Sequence, residues 1–197
     1  IAYTYTEPTI YFEYMLDTMR IAKSKGLENI IVSNGYFTAE ALELMAPHLD
    51  GTNIDLKVMD ENMAKRFMGG GVKPVLESLV RLNEGGVWVE VTTMIIPGIN
   101  DDKEHLSQIA QFIAGKLGDV TPWHISRYYP HYKMRDVPPT DIDVLMDAKK
   151  IGEKTGLKYI YLGNVGYENS TYCPKCKIEV VNRKGYQGKL TGRADGK

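Results

Sequence analysis

Two opposite charges on one face of a strand are the most informative chemistry-bearing residues in this sequence. In Asn53-Ile54-Asp55-Leu56-Lys57-Val58 a period of two puts Asn53, Asp55 and Lys57 on one face and Ile54, Leu56 and Val58 on the other. Strands buried in a parallel sheet normally read apolar on both faces. The pair is therefore either a structural ion pair, since buried charges must be paired, or part of a polar lining that holds a zwitterionic ligand. Glu7 is the second candidate, at the end of Ala2-Tyr3-Thr4-Tyr5-Thr6-Glu7-Pro8. Alternating Thr and Tyr fit a pleated strand over residues 2–6, and Pro8 withdraws a backbone donor and turns Glu7 away from helix. A carboxylate at the carboxyl end of a strand lies where open α/β sheets and barrels place their ligands; the alternative is a solvated turn residue. Ser33 and Asn34 end another short apolar strand, and His124 and Ser126 share a face of a later one. All are expected at one mouth, and His124 gains its force only from sharing that rim.

These groups need elements to hold them in place. After Pro8, Phe12, Met15, Leu16, Met19 and Ala22 form a helical stripe that stops at Gly26. Strands are expected at 30–33, 53–58, 87–96, 122–126 and 159–162. Helices alternate with them: one capped by Thr38, one over Glu61 to Met68, one opened by Pro74, one carrying Leu106, Ile109 and Ile113, and one capped by a Thr140/Asp143 box. Strand, helix, strand, helix is the signature of a parallel sheet with right-handed crossovers. From about Gly163 aliphatic clusters give way to Asn, Gly, Tyr and Lys, so residues 1–163 read as an α/β core and 164–197 as a small appendage.

Composition narrows the class. The 197 residues are 43% hydrophobic and 25% charged with a formal net charge of −1, which favours neither nucleic acid nor an anionic membrane. No apolar run spans a bilayer and no secretory start is present, so the expected location is cytoplasmic. The two cysteines, Cys173 and Cys176, form one Cys-Pro-Lys-Cys, a metal or redox spacing rather than a secreted disulfide framework. The chain opens on Ile within a strand-like pattern, which leads to the expectation that it is a fragment.

Taken together, Thr6-Glu7-Pro8, Ser33-Asn34-Gly35, Asp55-Leu56-Lys57, Ile96-Pro97-Gly98-Ile99-Asn100-Asp101 and Trp123-His124-Ile125-Ser126 resemble, in order and spacing, radical S-adenosylmethionine (SAM) enzymes of the pyruvate formate-lyase activating enzyme branch. Tyr3 to Pro8, Trp123 to Pro130 and Tyr172-Cys173-Pro174-Lys175-Cys176 look most like AmmeMemoRadiSam radical SAM proteins. The resemblance implies a partial (β/α) barrel, truncated at its N-terminus. It places the backbone of Thr4, Tyr5, Thr6 and Glu7 at the SAM amino group. Ser33, Asn34, Asp55 and Lys57 fall around its methionyl carboxylate and ribose, and His124 near its nucleoside. It further implies a [4Fe–4S] cluster, an electron donor, and a protein or small-molecule substrate that loses hydrogen to a 5′-deoxyadenosyl radical.

The departures are as informative. The family binds its cluster through Cys-x3-Cys-x2-Cys ahead of the Glu-Pro strand, and this chain has no three-cysteine motif; clusters need thiolate ligands, so the chain by itself is expected to be inactive. Tyr5 replaces the first part of a customary double glycine. Cys173 and Cys176 resemble half of a zinc ribbon, and two ligands do not close a structural zinc site. Residues past about Tyr172 are accordingly expected to be poorly ordered, or ordered only by packing on the barrel or a neighbouring chain. The Ile1–Thr6 strand, left as an edge, is expected to promote self-association. Two competing readings are a non-catalytic scaffold that grips a protein partner, and a barrel enzyme for a phosphorylated substrate. The latter is weakened because Gly69-Gly70-Gly71 lacks the following Lys-Ser/Thr phosphate signature.

Overall fold

A computed structural model describes residues 1–166, 169–185 and 187–192. Tyr167, Glu168, Tyr186 and residues 193–197 of the expected appendage lie outside them.

The alternating pattern folds as a six-stranded parallel sheet in the order β1-β2-β3-β4-β5-β6. Its strands are β1 (Ala2–Tyr3), β2 (Ile30–Ser33), β3 (Gly51–Asp55), β4 (Trp88–Ile95), β5 (Trp123–Arg127) and β6 (Ile160–Gly163). Every neighbouring pair is parallel, and β1 does not pair with β6, so the sheet is an open, partial barrel rather than a closed one. The crossovers are α1 (Phe12–Ser24), α2 (Ala39–Met45), α3 (Glu61–Met68) with α4 (Lys73–Glu84), α5 (Lys103–Phe112) and α6 (Ile142–Thr155).

One face of the sheet is buried under these helices. Ile31, Ile54, Val91, Ile95, Trp123 and Ile125 are fully buried there against Met15, Met19, Leu79, Leu106, Ile109 and Leu145. The other face is half-open and carries Val32, Asn53, Asp55, Glu90, Thr92, His124 and Tyr161. Alternation in β3 runs on past its last ladder residue, with Leu56 and Val58 buried and Lys57 half-exposed. No helix among the described residues is long and apolar enough to cross a membrane.

Two expectations need correction. The strand read over residues 2–6 spans only Ala2–Tyr3, because its Tyr and Thr are strand formers by propensity while the chain bends away to bring Glu7 onto β2. The edge open to pairing with another chain is correspondingly short. Thr140 does not cap α6; Asp141 does, accepting from Asp143 N. Thr140 is instead fully buried, donating to Ile95 O and accepting from Tyr128 N at 3.1 Å, which pins the 127–140 loop to β4 and β5.

A three-stranded antiparallel sheet follows, β7 (Thr171–Tyr172), β8 (Glu179–Lys184) and β9 (Gln187–Leu190). It leans on β6, where the Asn169 amide completes the strand's open edge: Leu162 N donates to Asn169 Oδ1 at 2.9 Å and Asn169 Nδ2 donates to Leu162 O at 2.5 Å.

Candidate functional site

The carboxyl ends of β1, β2 and β3 carry the first cluster. Glu7 sits in extended backbone at the cap of a single 3-10 turn, Pro8–Tyr11. Both of its carboxylate oxygens are engaged: Oε1 accepts from Ser33 Oγ at 2.7 Å and Thr9 N at 3.3 Å, and Oε2 accepts from Asn34 N at 2.8 Å. Glu7 is thus a tether between two loop ends, not a solvated turn residue. Ser33 is buried on the side of Ile31, two residues earlier, and its hydroxyl also accepts from Gly35 N at 3.1 Å. It therefore lies under Glu7 and not in the open mouth, a correction that strand parity requires. Gly35, at φ +74°, has no room for a side chain, because a Cβ there would stand 2.5 Å from Ile54 Cγ2. Thr4, Tyr5 and Thr6 form a turn beside Glu7; Thr4 O accepts from Tyr11 Oη at 2.6 Å, and the Tyr5 side chain is 89% exposed.

Asp55 and Lys57 meet as sequence parity predicts. Lys57 Nζ donates to Asp55 Oδ2 at 2.8 Å, with side chains 28% and 35% exposed respectively. One of the three ammonium hydrogens is used in this way. Among the described residues the remaining hydrogens and Asp55 Oδ1 have no side-chain partner, so the pair offers both a donor and an acceptor to a cleft of about 470 Å³ lined also by Asn34, Tyr36 and the Gly69–Gly71 loop. That donor set fits a zwitterion such as the methionyl end of SAM.

The backbone of Lys57 is fixed from below by a residue that sequence reasoning left as an ordinary turn former. Asn100, 1% exposed, donates through Nδ2 to Lys57 O at 2.7 Å and Met94 O at 3.0 Å and accepts at Oδ1 from Ile96 N at 2.6 Å. In the sequence it is one more Asn in a Pro-Gly turn, where such residues are common for local reasons.

His124 belongs to a second cluster on the inner face of β4–β6. Its Nε2 lies 2.7 Å from Glu90 Oε2, and Trp88 Nε1 donates to Glu90 Oε1 at 3.1 Å. The His124 hydrogen bond, and after it that of Trp88, holds the Glu90 carboxyl below the ordinary carboxylate range against the opposing effect of burial. The ring stacks on Tyr161 with centroids 5.3 Å apart. Tyr161 in turn shares a 2.8 Å hydrogen bond with Thr171 and lies under the Arg183 guanidinium at 5.4 Å. These groups line a cavity of about 550 Å³ between the two sheets, not the Asp55/Lys57 cleft. The expected single rim is thus two clusters, because Glu90 draws the imidazole to itself. They remain neighbours: Asp55, Thr92 and His124 are successive partners across β3, β4 and β5, two strand spacings or roughly 10 Å.

Cys173 and Cys176 sit in a tight turn closed by Cys173 N donating to Ile178 O at 2.8 Å. Backbone N–H groups of Cys176 and Lys175 hold the Cys173 thiol below its usual value. Among the described residues no group of three or more His, Cys, Asp or Glu side chains could hold a metal, so the zinc expectation finds no support. The two thiols of the chain are both in this turn and do not make a [4Fe–4S] site.

The sequence matches the model of the Radical SAM superfamily over residues 1–113. An uncharacterized protein of Methanocaldococcus jannaschii is 42% identical over 192 residues, covering 96% of this chain and 57% of that protein. The pyruvate formate-lyase-activating enzyme of Clostridium pasteurianum is 26% identical over 139 residues, 66% of this chain and 58% of the enzyme. The chain therefore spans less than two thirds of either relative. In structure, a domain of pyruvate-formate lyase-activating enzyme from Bacteroides vulgatus superposes with a TM-score of 0.72 at 18% identity, over 83% of this chain and 98% of that domain. A match over more than half of the chain, on the open parallel sheet that the family uses, establishes that this protein belongs to the radical SAM superfamily.

Proposed function

We propose that this chain is the SAM-holding part of an activating-enzyme-like radical SAM protein, with residues 1–163 as the holding unit and 164–197 appended to it. The observation that carries this reading is the Asp55/Lys57 pair, joined at 2.8 Å yet open to the cleft. Lys57 pairs with the methionyl carboxylate, Asp55 and Asn34 accept and donate around the ribose and amino acid, and the Thr4–Thr6 turn presents backbone to the amino group. Glu7 and Ser33 hold the two loops in register. The adenine end runs across the inner face towards His124. In a protein of this kind a [4Fe–4S] cluster, held by residues other than these, would pass one electron to SAM, whose C5′–S bond would break to methionine and a 5′-deoxyadenosyl radical able to take hydrogen from a protein or small-molecule substrate. The work of this chain is to bind, orient and shield SAM.

Calorimetric titration with SAM tests the reading. Lys57→Ala should weaken binding by about 2 kcal/mol, the scale of a lost hydrogen bond to a charged group. Equal affinity of the variant and the parent chain overturns the assignment, and a half-exposed lysine leaves the fold intact as the control.

A further inference from the structure

Glu90 was not among the residues expected at the site, yet it decides how His124 meets a ligand. Its Oε2 lies 2.7 Å from His124 Nε2, and Trp88 Nε1–H, 3.1 Å from Oε1, occupies the other oxygen. An ionised carboxylate can only accept, and the carboxyl is held below its ordinary range. Whenever the imidazole carries a single proton, that proton is therefore on Nε2 and Nδ1 is a lone-pair acceptor. Tyr161 covers one face of the ring and is itself fixed from the three-stranded sheet by Thr171 and Arg183. Among the described residues the Nδ1 edge and the second face have no partner and are what remain for a ligand.

We propose that Glu90 is a positioning residue that fixes His124 as an Nδ1 acceptor, so that the site selects a purine carrying a 6-amino donor over its 6-oxo counterpart. This rests on the reading that the SAM nucleoside lies beside His124. An amino hydrogen meets the Nδ1 lone pair productively, whereas a carbonyl oxygen sets lone pair against lone pair, and a buried acceptor facing an acceptor is costly. Because Tyr161 is held by the appended sheet, that sheet shares in setting the ring plane.

Two measurements on the whole chain separate this inference from the reading beneath it. Long-range nitrogen-15 imidazole spectra, with the His124 signal among the four histidines assigned from a His124→Gln variant, should show the Nε2–H form, and Glu90→Leu should shift it to the other tautomer or to a mixture. A Nδ1–H ring in the parent chain, or a spectrum unmoved by Glu90→Leu, overturns the positioning role. Calorimetry with SAM and with S-inosylmethionine should then give a preference for SAM of about 10- to 100-fold, the range of one well-placed hydrogen bond. Glu90→Leu should reduce the preference to within about threefold, and Glu90→Gln, whose single amide oxygen is claimed by the donor-only Trp88 Nε1–H so that its amino group faces His124 Nε2, should not restore it. No preference in the parent chain, or a preference that Glu90→Leu leaves intact while His124→Gln removes it, overturns the proposal. SAM affinity indifferent to His124→Gln overturns the placement of the nucleoside, while the tautomer result stands on its own.

Discussion

The rim cluster and the inner-face cluster are held by different kinds of partner. At the rim, polar side chains grip backbone: Glu7 takes the amides of Thr9 and Asn34, and Asn100 takes two carbonyls and an amide. This leaves the charges of Asp55 and Lys57 free to face the cleft. On the inner face, side chains grip one another, from Trp88 through Glu90, His124 and Tyr161 to Arg183. There most polar groups are spent on their neighbours and a single ring edge is left over. A backbone-anchored cluster suits a strongly charged ligand group, since its loops are fixed without consuming the charges. A side-chain relay suits selection, since one substitution changes the presentation of the next group along.

The sharpest break in this contrast is Asn100→Leu. It removes three hydrogen bonds and strands the Lys57 and Met94 carbonyls, so unfolding by urea should report a loss of about 3 kcal/mol. SAM affinity should fall with it while the His124 imidazole signals stay in place; a His124 shift would show that the two clusters are one network. Glu7→Ala comes next. It unties Ser33 and Asn34 from the turn after β1 and should cost about 1–2 kcal/mol, with β2 amides near Asn34 losing hydrogen-exchange protection. Protection unchanged there would mean that the tether is decorative.

Glu90 gives a smaller, pH-dependent effect. Its carboxyl is depressed below its ordinary 4.5 in the folded chain, so the stabilisation is fully present above that value and is lost as pH falls through the lower folded value. The stability advantage of the parent over Glu90→Gln should be at most about 1 kcal/mol at pH 7, as befits a part-exposed pair. It should shrink steadily below about pH 4.5; an advantage that grows in acid would reverse the assigned sign. Smallest of all is Cys176→Ser, outside both clusters, expected to move stability by less than about 0.5 kcal/mol.

Much of this arrangement could be read from residue order. Period-two alternation through Asn53–Val58 gave the facing of Asp55 and Lys57, because burial on one side of a sheet forces that pattern. The same rule, applied to Ile31 and Ser33, would have placed Ser33 beneath the rim; its position at a strand end drew attention away from its parity. His124 was legible as a residue of the open face but not as a partner of Glu90, since they are 34 positions apart and only strand register brings them together. Glu90 itself alternates with Val89 and Val91 as Asp55 does with its neighbours, so the signal existed. For the residues past about Tyr172 ligand counting leaves packing on the barrel or a neighbouring chain as the source of order; Val180, Asn182 and Lys184 alternate with Val181 and Arg183 in β8, and Thr171 and Arg183 reach Tyr161, a contact that no local pattern reports.

The Asn169 amide at β6 has a consequence for the sheet as a whole. A primary amide carries the same donor and acceptor as a peptide unit, and by bonding both N–H and C=O of Leu162 it acts as a one-residue counterfeit of a seventh strand. A ladder that ends on a decoy has nothing to offer an incoming chain at that point. The barrel can stay unrolled on this side, its last rung already spoken for, without inviting a stranger to continue it.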